Sequence, residues 1–239
     1  MSRLADDEKG GCAMFTVVFE VHPAPGKKDQ YLGLAKHLKP ILESIDGFID
    51  NERFESKRRE GWVLSLSTWR DEKAVVRWRS NGEHHNIQGQ GRDGIFSDYH
   101  LRVCEVITDT HPPKGLQVIE QRLDVSEIGA AKSLAITEVS PAPGATFSTT
   151  PDLLIAYLGF NPSTEGLVEY DIFESITNSG KMLLLTSWKS AEDSARWGPN
   201  SFDGVVALRH RRVRNVRDYG MYDRREAAQY YPEAKVQTK

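Results

Sequence analysis

Two adjacent histidines, His84 and His85, follow Trp78 by six and seven residues. An imidazole can accept a proton near neutral pH. Gln88 lies one helical turn beyond His84, and Trp69, Trp78 and Tyr99 add flat aromatic surface close by in the chain. Such residue types could hold a small aromatic molecule in an apolar pocket and move a proton on or off it. His84 and His85 are therefore candidate catalytic residues, and Trp69, Trp78, Gln88 and Tyr99 are candidates to touch substrate. Neighbours on a helix point in different directions, so at most one of the histidines can face a pocket. A plainer reading stands beside each. It makes Trp69 and Trp78 core residues, Tyr99 a strand-face packing residue, and the histidines hydrogen-bonded surface.

Other chemistries find less support. The 239 residues carry a net charge of −3, which gives no chain-wide attraction for nucleic acid. Cys12 and Cys104 are too few for a disulfide framework and lack metal-ligand spacing, so no metal is expected. No run approaches 18 apolar residues, and residues 1–13 are polar, without an apolar signal region. A soluble cytoplasmic protein is the expectation. Five arginines fall between Arg209 and Arg217. Read as the last strand of the chain, with Asp218, Asp223 and Glu226 nearby, they predict salt-bridged surface and no nucleic-acid site.

The elements that must position these residues are written twice. Glu20-Val-His-Pro-Ala-Pro-Gly26 returns as Glu138-Val-Ser-Pro-Ala-Pro-Gly144. Phe54-Glu55-Ser56 returns as Phe173-Glu174-Ser175, Trp69 as Trp188 and Arg77-Trp78 as Arg196-Trp197, all at an offset of 119. Of the 32 residues from Gly47 to Trp78, ten are identical to their counterparts, so the chain is a tandem duplication. In the first copy, residues 15–21 read as a strand stopped by the Pro-Ala-Pro-Gly turn. Tyr31, Leu34, Ala35, Leu38, Ile41, Leu42 and Ile45 define an amphipathic helix, with Pro40 predicted to kink it and Gly47 placed just past its end. Strands over 48–56 and 62–69, helices from Asp71 and around His84 to Gln90, and a strand over 99–106 complete the order β-α-β-β-α-β, a ferredoxin-like unit.

The second copy repeats this order with a shorter first helix near 152–160 and a Ser190-x-x-Asp193 capping box for a helix carrying Trp197. It lacks about nine residues where the first copy carries His84 and His85, and His100 aligns with His210. An extra strand-like piece is expected over 116–123. The expected organisation is a disordered extension over 1–13, one domain over 14–108, a linker over 109–115, a degenerate domain over 116–221, and a tail over 222–239 that docks through Tyr222, Tyr230 and Tyr231. A sheet with helices on one face leaves the other face apolar and uncovered. Two such sheets in one chain are expected to pack face to face as an intrachain pseudo-dimer, an α+β barrel. Further pairing of whole chains into a homodimer is left open.

Several motifs also carry a family resemblance. Gly47-Phe-Ile-Asp-x-Glu-Arg-Phe-Glu-Ser56, Leu-Ser-x-Ser-Thr-Trp69-Arg-Asp-Glu, Trp78, Glu83-His84, Gly91-Arg92 and Asp98-Tyr99-x-x-Arg102-Val103 resemble the antibiotic biosynthesis monooxygenase family. That resemblance implies the dimeric α/β-barrel fold. It covers nearly all of the first copy and, more weakly, residues 134–221. The haem-degrading branch of this superfamily needs an Asn on the first strand and a His ten residues after the Trp matched by Trp78; here residues 15–21 hold no Asn, and the His position is Gln88. The resemblance is closer to the quinone-forming branch, which needs no metal or flavin cofactor. It implies a monooxygenase whose substrate, a small phenol, quinol or anthrone, is itself the reductant for dioxygen. The alternative is a non-catalytic ligand-binding or scaffold protein of the same fold.

Overall fold

The computed structural model describes residues 13–142 and 150–229, so residues 1–12 of the N-terminal extension, Gly144, Tyr230 and Tyr231 lie outside the described residues, while Ala13 is buried in the core. The first half runs β1 (Phe15–Pro23), α1 (Lys28–Glu43), β2 (Phe48–Ser56), β3 (Val63–Trp69), α2 (Glu72–Arg79), α3 (Gly82–Gln90) and β4 (Phe96–Asp109). The second runs β5 (Ser133–Pro141), α4 (Pro151–Leu158), β6 (Leu167–Ser175), β7 (Met182–Trp188), α5 (Ala191–Ala195) and β8 (Val205–Gly220).

Local chemistry accounts for most of the boundaries. Tyr31, Ala35, Leu38 and Leu42 bury one stripe of α1. The helix continues through Pro40, which sits in its last turn, and ends at Ser44. Gly47 is therefore not its cap. With φ at +90° it turns the chain into β2, where a Cβ would lie 2.6 Å from that of Ala74. Asp71 caps α2 by accepting from the Ala74 N–H, and Asn81 caps α3 by accepting from the His84 N–H. Ser190 caps α5 as the motif predicts, but the helix stops at Ala195 and Trp197 lies beyond it. Gly198-Pro199 follows immediately, a sequence that cannot carry a helix on. Residues 116–123 form no strand, and Val118 makes only an isolated bridge. The Gln121 and Arg122 N–H groups donate to the Glu105 carboxylate, while Leu116 and Val118 lie against the barrel core.

The eight strands close into one antiparallel barrel in the order β1-β3-β2-β6-β7-β5-β8-β4. Two seams join the halves, and each pairs equivalent strands. Across β2–β6, Glu55 faces Glu174, its own counterpart in the repeat. Across β4–β8, Glu105 faces Arg214. Phe15 lies beside Glu105 and Ser133 beside Arg214, so these two positions are also equivalent. A pseudo-two-fold axis thus passes through both seams. The same register sets Glu20 beside His100 and Glu138 beside Arg209, so His100 matches Arg209 and not His210.

Both halves fill the barrel interior. Val18, Phe54, Leu64 and Cys104 from the first meet Ile136, Phe173, Leu183 and Val213 from the second. Toward the ends the interior is charged. Arg102, 1% exposed, pairs with buried Glu20, and Arg59 reaches both Glu20 and Asp171 of the other half. The equivalent cluster sets buried Arg211 on Glu138, with Lys181 bridging Glu138 and Glu52. Burial works against the Glu20 charge, but Arg102 and Arg59 outweigh it and hold the carboxyl below its usual range. The arginine-rich strand β8 is salt-bridged, as Arg209 to Asp109 and Arg214 to Glu105 show, yet Arg211 lies inside the barrel and not on the surface.

Removing one partner of a buried ion pair strands the other. Arg102→Met should lower unfolding stability by about 3 kcal/mol or more in a urea titration. A loss below about 1 kcal/mol, the range of an exposed pair, would show that the cluster does not tie the halves together.

Candidate active site

The first half holds a cavity of about 170 Å³ between its helices and the outer face of its sheet. An apolar cavity of roughly 150 Å³ takes up benzene, so the space suits a small ring-bearing molecule. Its roof comes from α1 through Ala35 and Leu38, and from α2 and α3 through Trp78, His84 and Gln88. Val17, Phe19, Leu101 and Val103 give the floor its apolar part, and Asn51, Arg53 and Ser65 give it a polar strip. Tyr99 stands at one side. Its hydroxyl accepts from Arg92 at 2.8 Å and from Arg224, so two guanidinium groups meet on one oxygen. Arg224 and Gln229 belong to the tail, which docks over this side through Gln229 Nε2 donating to the Arg79 carbonyl and Tyr222 Oη donating to that of Ser97. Among the described residues, four arginines and no carboxylate line the cavity.

Of the residues singled out from sequence, the structure brings His84, Trp78, Gln88 and Tyr99 together on the cavity wall. The His84 ring stacks on Trp78 with centroids 3.9 Å apart and planes 13° from parallel. Its Nδ1 lies 3.0 Å from the Trp78 carbonyl oxygen, which can only accept, so Nδ1 carries the proton and Nε2 the lone pair. Burial pushes His84 down to about 4, with His85 adding to the effect. The expectation of a histidine titrating near neutral pH is thus corrected: His84 is a neutral imidazole there, suited to accept a hydrogen bond.

Two candidates lie elsewhere. His85 is exposed on α3 and does not line the cavity, and its Nδ1 is 3.5 Å from Gln229 Nε2. Adjacent helical residues diverge by about 100°, and only His84 can turn inward. Trp69 is fully buried at the end of β3, donating to Ser67 Oγ at 2.9 Å and packed edge-on by Phe48. It supports Trp78 from behind, with centroids 6.5 Å apart, and offers no face to the cavity.

Asn51, Arg53 and Ser65 were not singled out from the sequence, although the repeat marks them. At the offset of 119 they become Tyr170, Ile172 and Leu184, which belong to the apolar cluster under α4. There Phe160, buried in the same cluster, packs edge-on against Trp188 and Trp197, with centroids 6.4 and 5.1 Å away. No helix equivalent to α3 follows α5. His210, buried against Thr137 and Trp197, is pushed down to about 4 by burial.

A doubled ferredoxin-like chain closed into one barrel, with a cavity under the helices, defines the dimeric α/β-barrel class. A solved structure of aldoxime dehydratase shares this fold, with a TM-score of 0.57 and 13% identity over 89% of this chain and 84% of that one. The family profile for antibiotic biosynthesis monooxygenases matches residues 14–90, and so spans β1 to α3 with most of the cavity. A protein of Pyricularia oryzae named jasmonate monooxygenase ABM is 43% identical over 226 residues, which cover 92% of this chain and all of that one. The chain belongs to the antibiotic biosynthesis monooxygenase family. Among the described residues, no helix is long and apolar enough to cross a membrane.

The depressed histidines set a direction for stability against pH. Unfolded imidazoles protonate near pH 6.5, whereas His84 and His210 in the fold wait until about 4. Between those values the unfolded chain binds more protons, so stability falls as pH falls, by at most about 1.4 kcal/mol per pH unit for each histidine. Urea midpoints should therefore drop between about pH 6.5 and pH 4.5, and His210→Asn should flatten part of that slope. An unchanged slope in this variant would refute the assignment.

Proposed function

We propose that the protein is a monooxygenase that oxidises a small, mainly apolar molecule with dioxygen in the cavity of the first half. The observation that carries this reading is the cavity over a polar strip in one half, where the other half places a cluster of buried apolar side chains. Membership of a monooxygenase family gives the reaction class.

The relative's name supplies a first substrate to try. Jasmonate is a cyclopentanone with a short apolar chain and one carboxylate. The apolar walls suit the ring and chain, and the arginines around the cavity suit the acid. Within this reading Trp78 and His84, stacked on each other, form one wall of the site, and His84 Nε2 accepts a hydrogen bond from the hydroxyl of an alcohol product or of a phenol. The docked tail keeps bulk water off the reacting carbon.

A phenol, quinol or anthrone remains the second class, favoured by the stacked Trp78 and His84 rings. The two classes differ in electron balance. An activated methylene reacts with one dioxygen to give a carbonyl and one water, and the substrate supplies every electron. Insertion of one oxygen atom into an ordinary C–H bond yields an alcohol and water, and needs two electrons from a separate donor.

Purified protein should consume dioxygen and add one oxygen atom to jasmonate when a reduced nicotinamide or ascorbate is present, read by mass spectrometry. Leu38→Trp, which puts bulk into the cavity, should cut turnover at least about tenfold while the fold persists, since overpacking costs about 1–3 kcal/mol. No turnover of jasmonate, or of any phenol, quinol or anthrone tested with and without a reductant, would defeat the reading. Full turnover by the Leu38→Trp variant would place the reaction outside this cavity.

A further inference from the structure

Arg53 brings to the cavity wall a charge that no described carboxylate pairs with. Three buried side-chain nitrogens among the described residues donate to no protein acceptor: Nε of Arg53, of Arg102 and of Arg211. Arg102 and Arg211 lie inside the barrel, and each spends its remaining guanidinium edge on a carboxylate, Glu20 or Glu138. Arg53 makes no ion pair with any described residue, and it is the one of the three that lines the cavity. A guanidinium that is part-buried without a counter-charge is costly unless an anion arrives to pair with it.

Its position is fixed. The Arg53 backbone is paired with Ser65 across β2–β3, and its carbonyl accepts from the Ile176 N–H of the other half at 2.9 Å. The guanidinium lies against the hydroxyl of buried Tyr31 on α1, whose own ionisation burial opposes. At the equivalent place the second half carries Ile172, fully buried under a filled helix–sheet space. The cation therefore accompanies the cavity and is lost where the cavity is lost.

We infer that Arg53 is the anchor for a carboxylate on the substrate, binding it at the floor of the cavity with the Tyr31 hydroxyl as a second donor. The site then selects small apolar carboxylic acids over their esters and over neutral analogues of the same shape. Hydrogen bonds to a charged group are each worth about 1.5–3 kcal/mol, or roughly 10- to 150-fold in affinity, which sets the expected size of the effect. The inference rests on the proposed use of this cavity, and its test separates the two.

The test compares jasmonate with its methyl ester on the full chain, by calorimetric binding and by turnover. The wild-type protein should bind the acid at least about tenfold more tightly than the ester. Arg53→Met should remove that preference by weakening the acid, and Arg53→Lys should restore part of it, because a point charge keeps the attraction without the two-pronged geometry. Equal binding of acid and ester by the wild type overturns the inference, and needs no variant to fold. A preference that survives in Arg53→Met overturns it as well. So does an Arg53→Met variant that loses kcat equally on acid and ester at unchanged KM, since Arg53 would then act on the reacting centre. Arg53-dependent binding of the acid with no turnover supports the carboxylate anchor while defeating the monooxygenase reading.

Discussion

Each half-sheet carries its helices on one face and leaves the other face, rich in valine, leucine and phenylalanine, with nothing of its own to cover it. That uncovered face is the constraint from which the rest of the architecture follows. Burying it against an equivalent face removes apolar area from water, and joining the sheet edges satisfies the main-chain groups that an open edge would expose. The barrel interior is consequently assembled from both copies, and neither copy owns a complete core. The buried ion pairs share this logic. Arg59 crosses to Asp171, and Lys181 crosses back to Glu52, so the charges register the two sheets as well as neutralise each other.

Once the interior is committed to holding the halves together, only the outer, helix-covered faces are free to vary. They have diverged in opposite directions. Under α1 and α3 the first half keeps polar side chains on its floor and open space above them. Under α4 the second half has replaced these with Tyr170, Ile172 and Leu184 and closed the gap with Phe160 and Trp197. The second half contributes to the site at a distance. It pins the Arg53 backbone through Ile176, places Tyr219 of β8 on the cavity wall, and sends the tail residues Arg224 and Gln229 across to the mouth.

Much of this was legible in the sequence. The repeated glycines, tryptophans and Phe-Glu-Ser triplets revealed the duplication, and the strand and helix periods placed nearly every element of the first half. Residues 116–123 misled because strand-like residue types do not reveal that a Glu105 carboxylate will take the backbone donors. The site was legible where its members are close in the chain. Trp78, His84 and Gln88 fall on two short consecutive helices, and Tyr99 follows after one turn. His85 and Trp69 were misplaced because residue type alone does not say which way a side chain points. Arg53 and Asn51 were overlooked for a related reason. They are ordinary polar residues on a strand, and only their apolar counterparts in the second copy mark them as unusual.

The pair Glu105 and Arg214 carries a historical consequence. In an assembly of two identical chains, a residue on the symmetry axis meets itself, so a glutamate there must face a glutamate. Glu55 and Glu174 still obey that rule, each steadied by a lysine of its own, Lys28 and Lys57. At the other seam the rule is broken by a salt bridge of 2.9 Å between unlike residues. No self-paired ancestor could have held it, because the attraction exists only after the two positions mutate independently. The covalent link between the copies therefore did more than keep partners close. It freed the axis to become complementary, and in doing so made each copy a worse match for itself than for its sibling.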